Sequence, residues 1–442
     1  MEVPMKRGKK RRNNSYSVET TLIYGRAKTP HWDYSHHLVP PITSSCTYRL
    51  DSAQRGAQGF VEFAHTTDEV AVKARAPIYI YDRLGDPTKD MLEETLARAE
   101  SGAASVTFTT GMAAVSGILG CLTATGDEIV AHRMLYGCTY SLLTNWYPRY
   151  RIGVKFANLT SLDHLRHSIS RRTRVVYFES PVNPTMQLID IRGVCDVVAV
   201  ENRKRSAESR IYVVIDNTFA TPFCQRPIEL GADFVLHSLT KNIGGFGTDM
   251  GGAVIGPAWS RDRLLLYRKD FGGALAAKSA WPLLVYGLPT LSLRTRHQER
   301  SAIEIARFLE SEEHVDSVTY PGLTSHPQYE VAKRQMLDYD GNFAPGIMIH
   351  FTVKGRTPKE RRARGERVIN YLAKNAYTVT LAVSLGNIRT LVEHPGSMTH
   401  AAIPPEEQVK KGIDPGGIRL SVGLERVDDI IHDLHRALGQ LR

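Results

Sequence analysis

The stretch that decides the fold reads Tyr212-Val-Val-Ile-Asp216-Asn-Thr-Phe-Ala-Thr-Pro222, then, after a short interval, Gly231-Ala-Asp-Phe-Val-Leu-His-Ser-Leu-Thr-Lys241. Residues 211–215 are an unbroken β-branched and aromatic run, the pattern of a strand buried on both faces of a parallel sheet. The run ends in Asp216, so a carboxylate emerges at the carboxyl end of that strand. Residues 234–236 read as a second buried strand, which delivers His237, Ser238, Thr240 and Lys241 to the same rim. Ligand sites in open α/β sheets lie at that rim.

Outward from this core, strands and helices alternate from 104 to 255. A strand at 104–109 precedes a helix from Gly111 to about 122, and a strand at 174–178 precedes a helical crossover at 188–202. This alternation predicts an α/β fold, a mostly parallel sheet flanked by helices. A helix is expected from 91 to 99, and a long helical stretch from 280 to 310. Beyond it, strands at 346–353 and 378–382 mix with helices at 358–374 and 427–438, giving a smaller α+β C-terminal domain. The expected organisation is therefore tail, extended arm and insertion at 1–85, an α/β domain at 86–290 and an α+β domain at 291–442.

Pyridoxal 5′-phosphate needs a lysine amine for its aldehyde and an acid to keep its pyridine nitrogen protonated, and Lys241 with Asp216 supplies that pair. Taken singly, Asp216 could cap a turn and Lys241 could be a solvated loop lysine. Hydroxyls at Ser238 and Thr240 can bond a phosphate, and the glycines of Asn242-Ile-Gly-Gly-Phe-Gly-Thr248 let backbone approach a ligand. Gly111-Met112, at a helix start just past a strand, offers backbone N–H groups and the positive end of a helix dipole. Tyr81 and Arg83, two apart on an extended segment, point to one side and could clamp a phosphate. Tyr136 in Tyr136-Gly-Cys138-Thr-Tyr140 can stack on a pyridine ring and take part in proton transfer.

Composition narrows the classes further. Hydrophobic content of 42% and charged content of 23% are those of a globular protein. No run is long and apolar enough for a membrane span, and no apolar stretch follows the N-terminal charges as in a secretory signal. Five scattered cysteines without metal-type spacing point to a reducing cytoplasm and to no metal site. The net charge of +10 raises the question of nucleic acid, but Lys6, Arg7, Lys9, Lys10, Arg11 and Arg12 against Glu2 account for half of it. Such a block reads as a solvated tail rather than a nucleic-acid surface. The remaining charge suits an anionic cofactor and a substrate carboxylate.

Taken together, His237-Ser-Leu-Thr-Lys241, Asp216-Asn-Thr218 and Tyr136-Gly-Cys-Thr-Tyr140 resemble the Cys/Met-metabolism group of pyridoxal-phosphate enzymes. That group includes cystathionine γ-synthase, cystathionine γ-lyase, methionine γ-lyase and the O-acylhomoserine sulfhydrylases. The resemblance runs from about residue 23 to the C-terminus, apart from an unmatched insertion near 53–76. It implies a fold-type I enzyme whose N-terminal arm wraps a neighbouring subunit, in a homotetramer built from dimers with shared active sites. It also implies that Tyr81 and Arg83 reach the neighbour's cofactor phosphate and that Asn183 bonds the cofactor's phenolic oxygen. By the same resemblance, Arg419 holds the α-carboxylate of an amino-acid substrate, and Ser384 also lies on the substrate-binding side. One departure is Asp86, where the family usually has asparagine.

Within the group, two features lean toward methionine γ-lyase. Cys138 stands near the substrate where most relatives carry glycine, and Lys269-Asp270 before a Gly-Ala resembles a substrate-side loop, as does Ser397-Met-Thr-His400. Gly-Gly-Phe246-Gly-Thr and Leu291-Ser-Leu-Arg294 lean instead toward the sulfhydrylases. The expected activity is α,γ-elimination of L-methionine, with catalytic roles for Lys241, Tyr136, Asp216 and Cys138. O-acetylhomoserine sulfhydrylase, cystathionine γ-synthase and cystathionine γ-lyase are the alternatives inside the family. An aminotransferase would fit Tyr136-Gly-Cys-Thr and the Tyr81/Arg83 pair less well than this group does, and a non-enzymatic binding protein using the basic tail would be colourless where a lysine-bound cofactor is yellow.

Overall fold

The computed structural model describes residues 16–24, 38–64, 78–399, 405–410 and 412–441. Most of the basic tail and residues 65–76 of the insertion lie outside the described residues; the earlier part of the insertion is a helix, Ala53–Ala64.

Seven strands make the larger sheet: β1 (Ala104–Phe108), β2 (Glu128–His132), β3 (Gly153–Ala157), β4 (Thr173–Glu179), β5 (Tyr212–Asp216), β6 (Phe234–Ser238) and β7 (Gly252–Gly256). Their order is β1-β7-β6-β5-β4-β2-β3. Strand β7 runs antiparallel to both its neighbours, and the other pairs are parallel. Strands β1, β2 and β7 are buried along their whole length, because helices cover both faces. This is the mostly parallel α/β architecture that the apolar runs predict.

The helix Pro87–Ala99 begins a turn earlier than its apolar periodicity suggests. Asp86 accepts the Lys89 backbone N–H at 3.0 Å and Pro87 occupies the first turn, so the cap sets the start. Asp86 also pairs with the buried Lys89 ammonium at 3.0 Å. Its carboxylate therefore serves this helix terminus.

Five strands form the second sheet: β8 (Val315–Thr319), β9 (Met348–Val353), β10 (Val379–Leu381), β11 (Thr390–Glu393) and β12 (Gly417–Ser421), in the order β10-β11-β12-β9-β8. Alternation sorts their faces. Ile349, Phe351, Val392, Ile418 and Leu420 pack with Leu309, Leu372 and Leu434 from three helices into one core. His350, Glu393 and Arg419 fall on the opposite face. The expected long helical stretch from about 280 to 310 runs unbroken from 277 to 311, as Ala277–Pro282, one wide π-helical turn at Leu283–Gly287, and Leu288–Ser311. Prolines 282 and 289 lack the N–H that a regular α-helix would use there. Leu288 and Leu291 belong to the core beneath the first sheet, whereas Ile305 and Leu309 belong to the core of the second. The helix thus spans both.

The described part of the arm packs on its own chain. Trp281 Nε1 donates to the Pro40 carbonyl at 2.7 Å, and Thr43 N donates to Thr88 Oγ1 at 3.1 Å. No helix among the described residues is long and apolar enough to cross a membrane.

Candidate active site

Adjacent strand ends build the site's floor. The register of β4 on β5 puts Glu179 directly beside Asp216. Asp216 Oδ1 accepts the Thr218 N–H at 2.9 Å, and Thr218 Oγ1 accepts the Ser238 N–H at 2.9 Å, so the ends of β5 and β6 are stitched together. The chain then turns, with Lys241 N donating to the Ser238 carbonyl at 3.2 Å. Arg294 holds this turn from behind, donating to the carbonyls of Asn242 at 2.9 Å, Ile243 at 3.1 Å and Gly287 at 2.9 Å. Gly245, at φ +77°, leaves no room for a side chain: a Cβ there would meet Arg294 Nη1 at 2.2 Å.

The second sheet closes the site. Lys241 Nζ donates to Ser384 Oγ at 2.8 Å. Ser384 sits at φ +98°, a strained conformation for a residue with a side chain. Its carbonyl is held by Arg419 Nη2 at 2.9 Å, and Gly386 N donates to Ser421 Oγ at 2.8 Å. Arg419 Nη1 donates to Asn183 Oδ1 at 2.8 Å and lies 3.1 Å from Glu393. Opposite, Tyr136 N donates to Glu179 Oε1 at 2.6 Å, and Cys138 Sγ donates to the Tyr136 hydroxyl at 3.4 Å.

These elements enclose a cavity of about 290 Å³. Of the residues expected at the site, Gly111, Met112, Tyr136, Asn183, Asp216, Ser238, Thr240, Lys241, Ser384 and Arg419 line it. Cys138 adjoins it through Tyr136. Tyr81, Arg83, Lys269 and Asp270 do not line this cavity. They cluster elsewhere: the Arg83 guanidinium donates to the Lys269 carbonyl at 2.5 Å and lies over the Tyr81 ring, and Lys269 pairs with Asp270 at 3.0 Å. The expected extended segment through Tyr81 and Arg83 is corrected too. Only Tyr81 bridges to Thr47, and the chain turns at 82–84, where Leu84 N bonds back to the Tyr81 carbonyl.

Burial sets the electrostatics. The Lys241 amine is held below its ordinary range by burial and then by the Arg419 charge. Burial raises Asp216 against the opposing Thr218 hydrogen bonds. Glu179 is pushed up to about 8, by burial first and by Asp216 beside it second. Burial, followed by Cys138, raises the Tyr136 phenol above its usual range.

Glu179, Thr218, Glu393 and Arg294 were given no role at this site by the motifs. Glu179 carried a usable signal, since it ends a buried strand as Asp216 does. Glu393 ends only a short run, Thr390-Leu-Val-Glu393, and Arg294 sits on a helix remote in sequence.

The residues present fit pyridoxal phosphate. Asp216 offers a buried acid at the rim, and Lys241 an amine whose charged form is disfavoured by burial and by Arg419. A Cβ on Gly111 would sit 2.9 Å from Ser238 Cβ, so bare backbone at a helix N-terminus packs against the second strand end. Lysine and acid on adjoining strand ends, beside a helix N-terminus, define a pyridoxal-phosphate enzyme. Residues 19–439 match the family of Cys/Met metabolism PLP-dependent enzymes, and the chain belongs to it.

The chain is 36% identical over 428 residues to an L-methionine γ-lyase of Fusobacterium nucleatum subsp. polymorphum, covering 96% of this chain and 99% of that protein. It is 38% identical over 405 residues to an L-methionine γ-lyase of Porphyromonas gingivalis, covering 91% and 93% respectively. In structure it resembles the cystathionine γ-synthase of Xanthomonas oryzae pv. oryzae in complex with aminoacrylate and cysteine. There the TM-score is 0.81 at 30% identity, covering 96% of this chain and 98% of that one.

Proposed function

We propose that the enzyme is a methionine γ-lyase, converting L-methionine and water into methanethiol, 2-oxobutanoate and ammonia. The observation that carries this is Cys138 donating to the Tyr136 hydroxyl beside a cavity whose walls include Met112, Phe219, Met250, Val383 and Leu385. A thioether and its methyl group suit that apolar wall. Among the lining residues the cations are Lys241 and Arg419. With Arg419 assigned to the α-carboxylate, the chain's own lining offers no further guanidinium for a second carboxylate such as cystathionine carries.

The bound cofactor supplies an electron-withdrawing ring that acidifies the C–H bonds next to the substrate's amine. The chain's own groups do the rest. Lys241, whose amine would hold the cofactor at rest, would accept and return protons at Cα and Cβ, burial favouring its neutral form. Asp216 would hold the proton on the pyridine nitrogen. Tyr136 keeps its phenolic proton well above neutral pH and delivers it to the departing sulfur. Arg419 orients the α-carboxylate with its planar fork, and Asn183 and Ser384 fix that fork.

Tyr81 and Arg83 are assigned to the neighbour's phosphate, and Lys269 and Asp270 to a substrate-side loop, in a cytoplasmic homotetramer of dimers. Their cluster away from the chain's own cavity supports this reading. The test is to supply L-methionine, cystathionine, homocysteine, or O-acetylhomoserine plus sulfide, separately, and identify the products. Methanethiol and 2-oxobutanoate in equal amounts are expected from L-methionine, with Cys138→Gly cutting that reaction more than elimination from O-acetylhomoserine. No methanethiol would move the assignment to the sulfhydrylase or cystathionine branch.

A further inference from the structure

On the reading that Arg419 takes the substrate's α-carboxylate, we propose that Glu393 is an internal anion that competes for this guanidinium. In that role it sets how tightly carboxylates bind. The registers of the second sheet make the juxtaposition obligatory. Glu393 on β11 is paired directly with Arg419 on β12, which is paired in turn with His350 on β9, so all three share one face. Glu393 is 1% exposed, and its Oε1 lies 3.1 Å from Arg419 Nη1 and accepts from Thr399 Oγ1 at 3.2 Å. Its Oε2 is buried and has no hydrogen-bond partner among the described residues. A buried, half-satisfied carboxylate beside a binding arginine is a costly arrangement to keep.

The aim of Arg419 is set elsewhere. Its directed hydrogen bonds go to Asn183 Oδ1 and the Ser384 carbonyl, one from each terminal nitrogen. Glu393 contributes charge to the guanidinium more than direction. A substrate carboxylate arriving at Arg419 then shares one cation with a second carboxylate. Two like charges within a few ångströms, the nearer one buried with its guanidinium, weaken binding by roughly an order of magnitude or more. The 2-oxo acid product carries the same carboxylate, so the competition that loosens the substrate also speeds product departure.

The two possible roles of Glu393 predict opposite signs. A residue that merely braces Arg419 would weaken carboxylate binding when altered, whereas a competitor would tighten it. The probe is propionate, which has the carboxylate but no amine to engage the cofactor, titrated calorimetrically into the holoenzyme. Glu393→Gln should lower the propionate Kd by roughly ten- to a hundredfold and lower KM for the amino-acid substrate in parallel. Glu393→Asp, which withdraws the carboxylate by one methylene, should tighten binding by a smaller factor and serves if the glutamine variant does not fold. Unchanged or weaker propionate binding in these variants, with binding abolished in Arg419→Gln, overturns the competition but leaves the role of Arg419 standing. Binding that survives Arg419→Gln overturns both.

Discussion

Replacing Arg294 with lysine tests whether the position of Lys241 is set by a residue remote in sequence. Arg294 is 6% exposed and spends its guanidinium on the carbonyls of Asn242, Ile243 and Gly287, with Nε donating to Thr290 Oγ1 at 3.0 Å. Burial alone pulls its pKa down to about 10, still far above neutral pH, so it remains charged. A lysine ammonium is a point donor and can reach one or two of the three carbonyls from the same stem. Each lost charge-assisted bond costs about 1.5–3 kcal/mol, so Arg294→Lys should lose about 2–4 kcal/mol. Because two of the three carbonyls directly follow Lys241, the turn that aims its amine loosens. A misplacement of the reacting amine by about 1 Å should cut turnover by tenfold or more. Urea unfolding of the holoenzyme followed by tryptophan fluorescence, paired with kcat on the preferred substrate, measures both effects. A stability change under about 1 kcal/mol with kcat within twofold of the parent would refute the reasoning.

Two further outcomes are expected. Lys241→Ala and Arg83→Ala should each be inactive, the former without the visible absorbance of the lysine-bound cofactor; mixing them should restore part of the activity through hybrid sites, and no recovery despite demonstrated subunit exchange would count against shared sites. His132 is held down at about 3 by burial while its Nδ1 accepts the Leu159 N–H at 3.1 Å. Its folded pKa lies below the unfolded value, so the unfolded chain binds the extra proton and stability falls as pH drops below about 6.5. That loss reaches about 2 kcal/mol at pH 5, and His132→Asn, which keeps an acceptor, should not share it. A stability difference between the two proteins that is constant from pH 7 to pH 5 would contradict this.

Chemistry at β5 and β6 was legible because both strands are buried on both faces and announce themselves as apolar runs. The residues at the carboxyl end of such a run emerge at the rim, so Asp216, Ser238 and Lys241 could be placed together from their order alone. The start of the helix at Gly111 was legible for the same reason, being the first turn after a strand. Family motifs added Asn183, Ser384 and Arg419, which no local pattern would have singled out.

Other assignments needed the folded chain. Tyr81 and Arg83 are two apart in sequence, yet a turn at 82–84 takes them off a common strand, and neither they nor Lys269 and Asp270 line the chain's own cavity. Strand register decided that Glu179 adjoins Asp216 and that Glu393 opposes Arg419, because pairing partners are chosen by hydrogen bonding between distant segments. By itself, then, the sequence determined the sheet, its rim and the lysine–acid pair, since burial and strand period are written locally. Only the tertiary structure decided which side chains from the second sheet and the helix at 288–311 converge on that lysine. Those contacts arise from packing two cores against one helix, and no local pattern encodes the angle at which they meet.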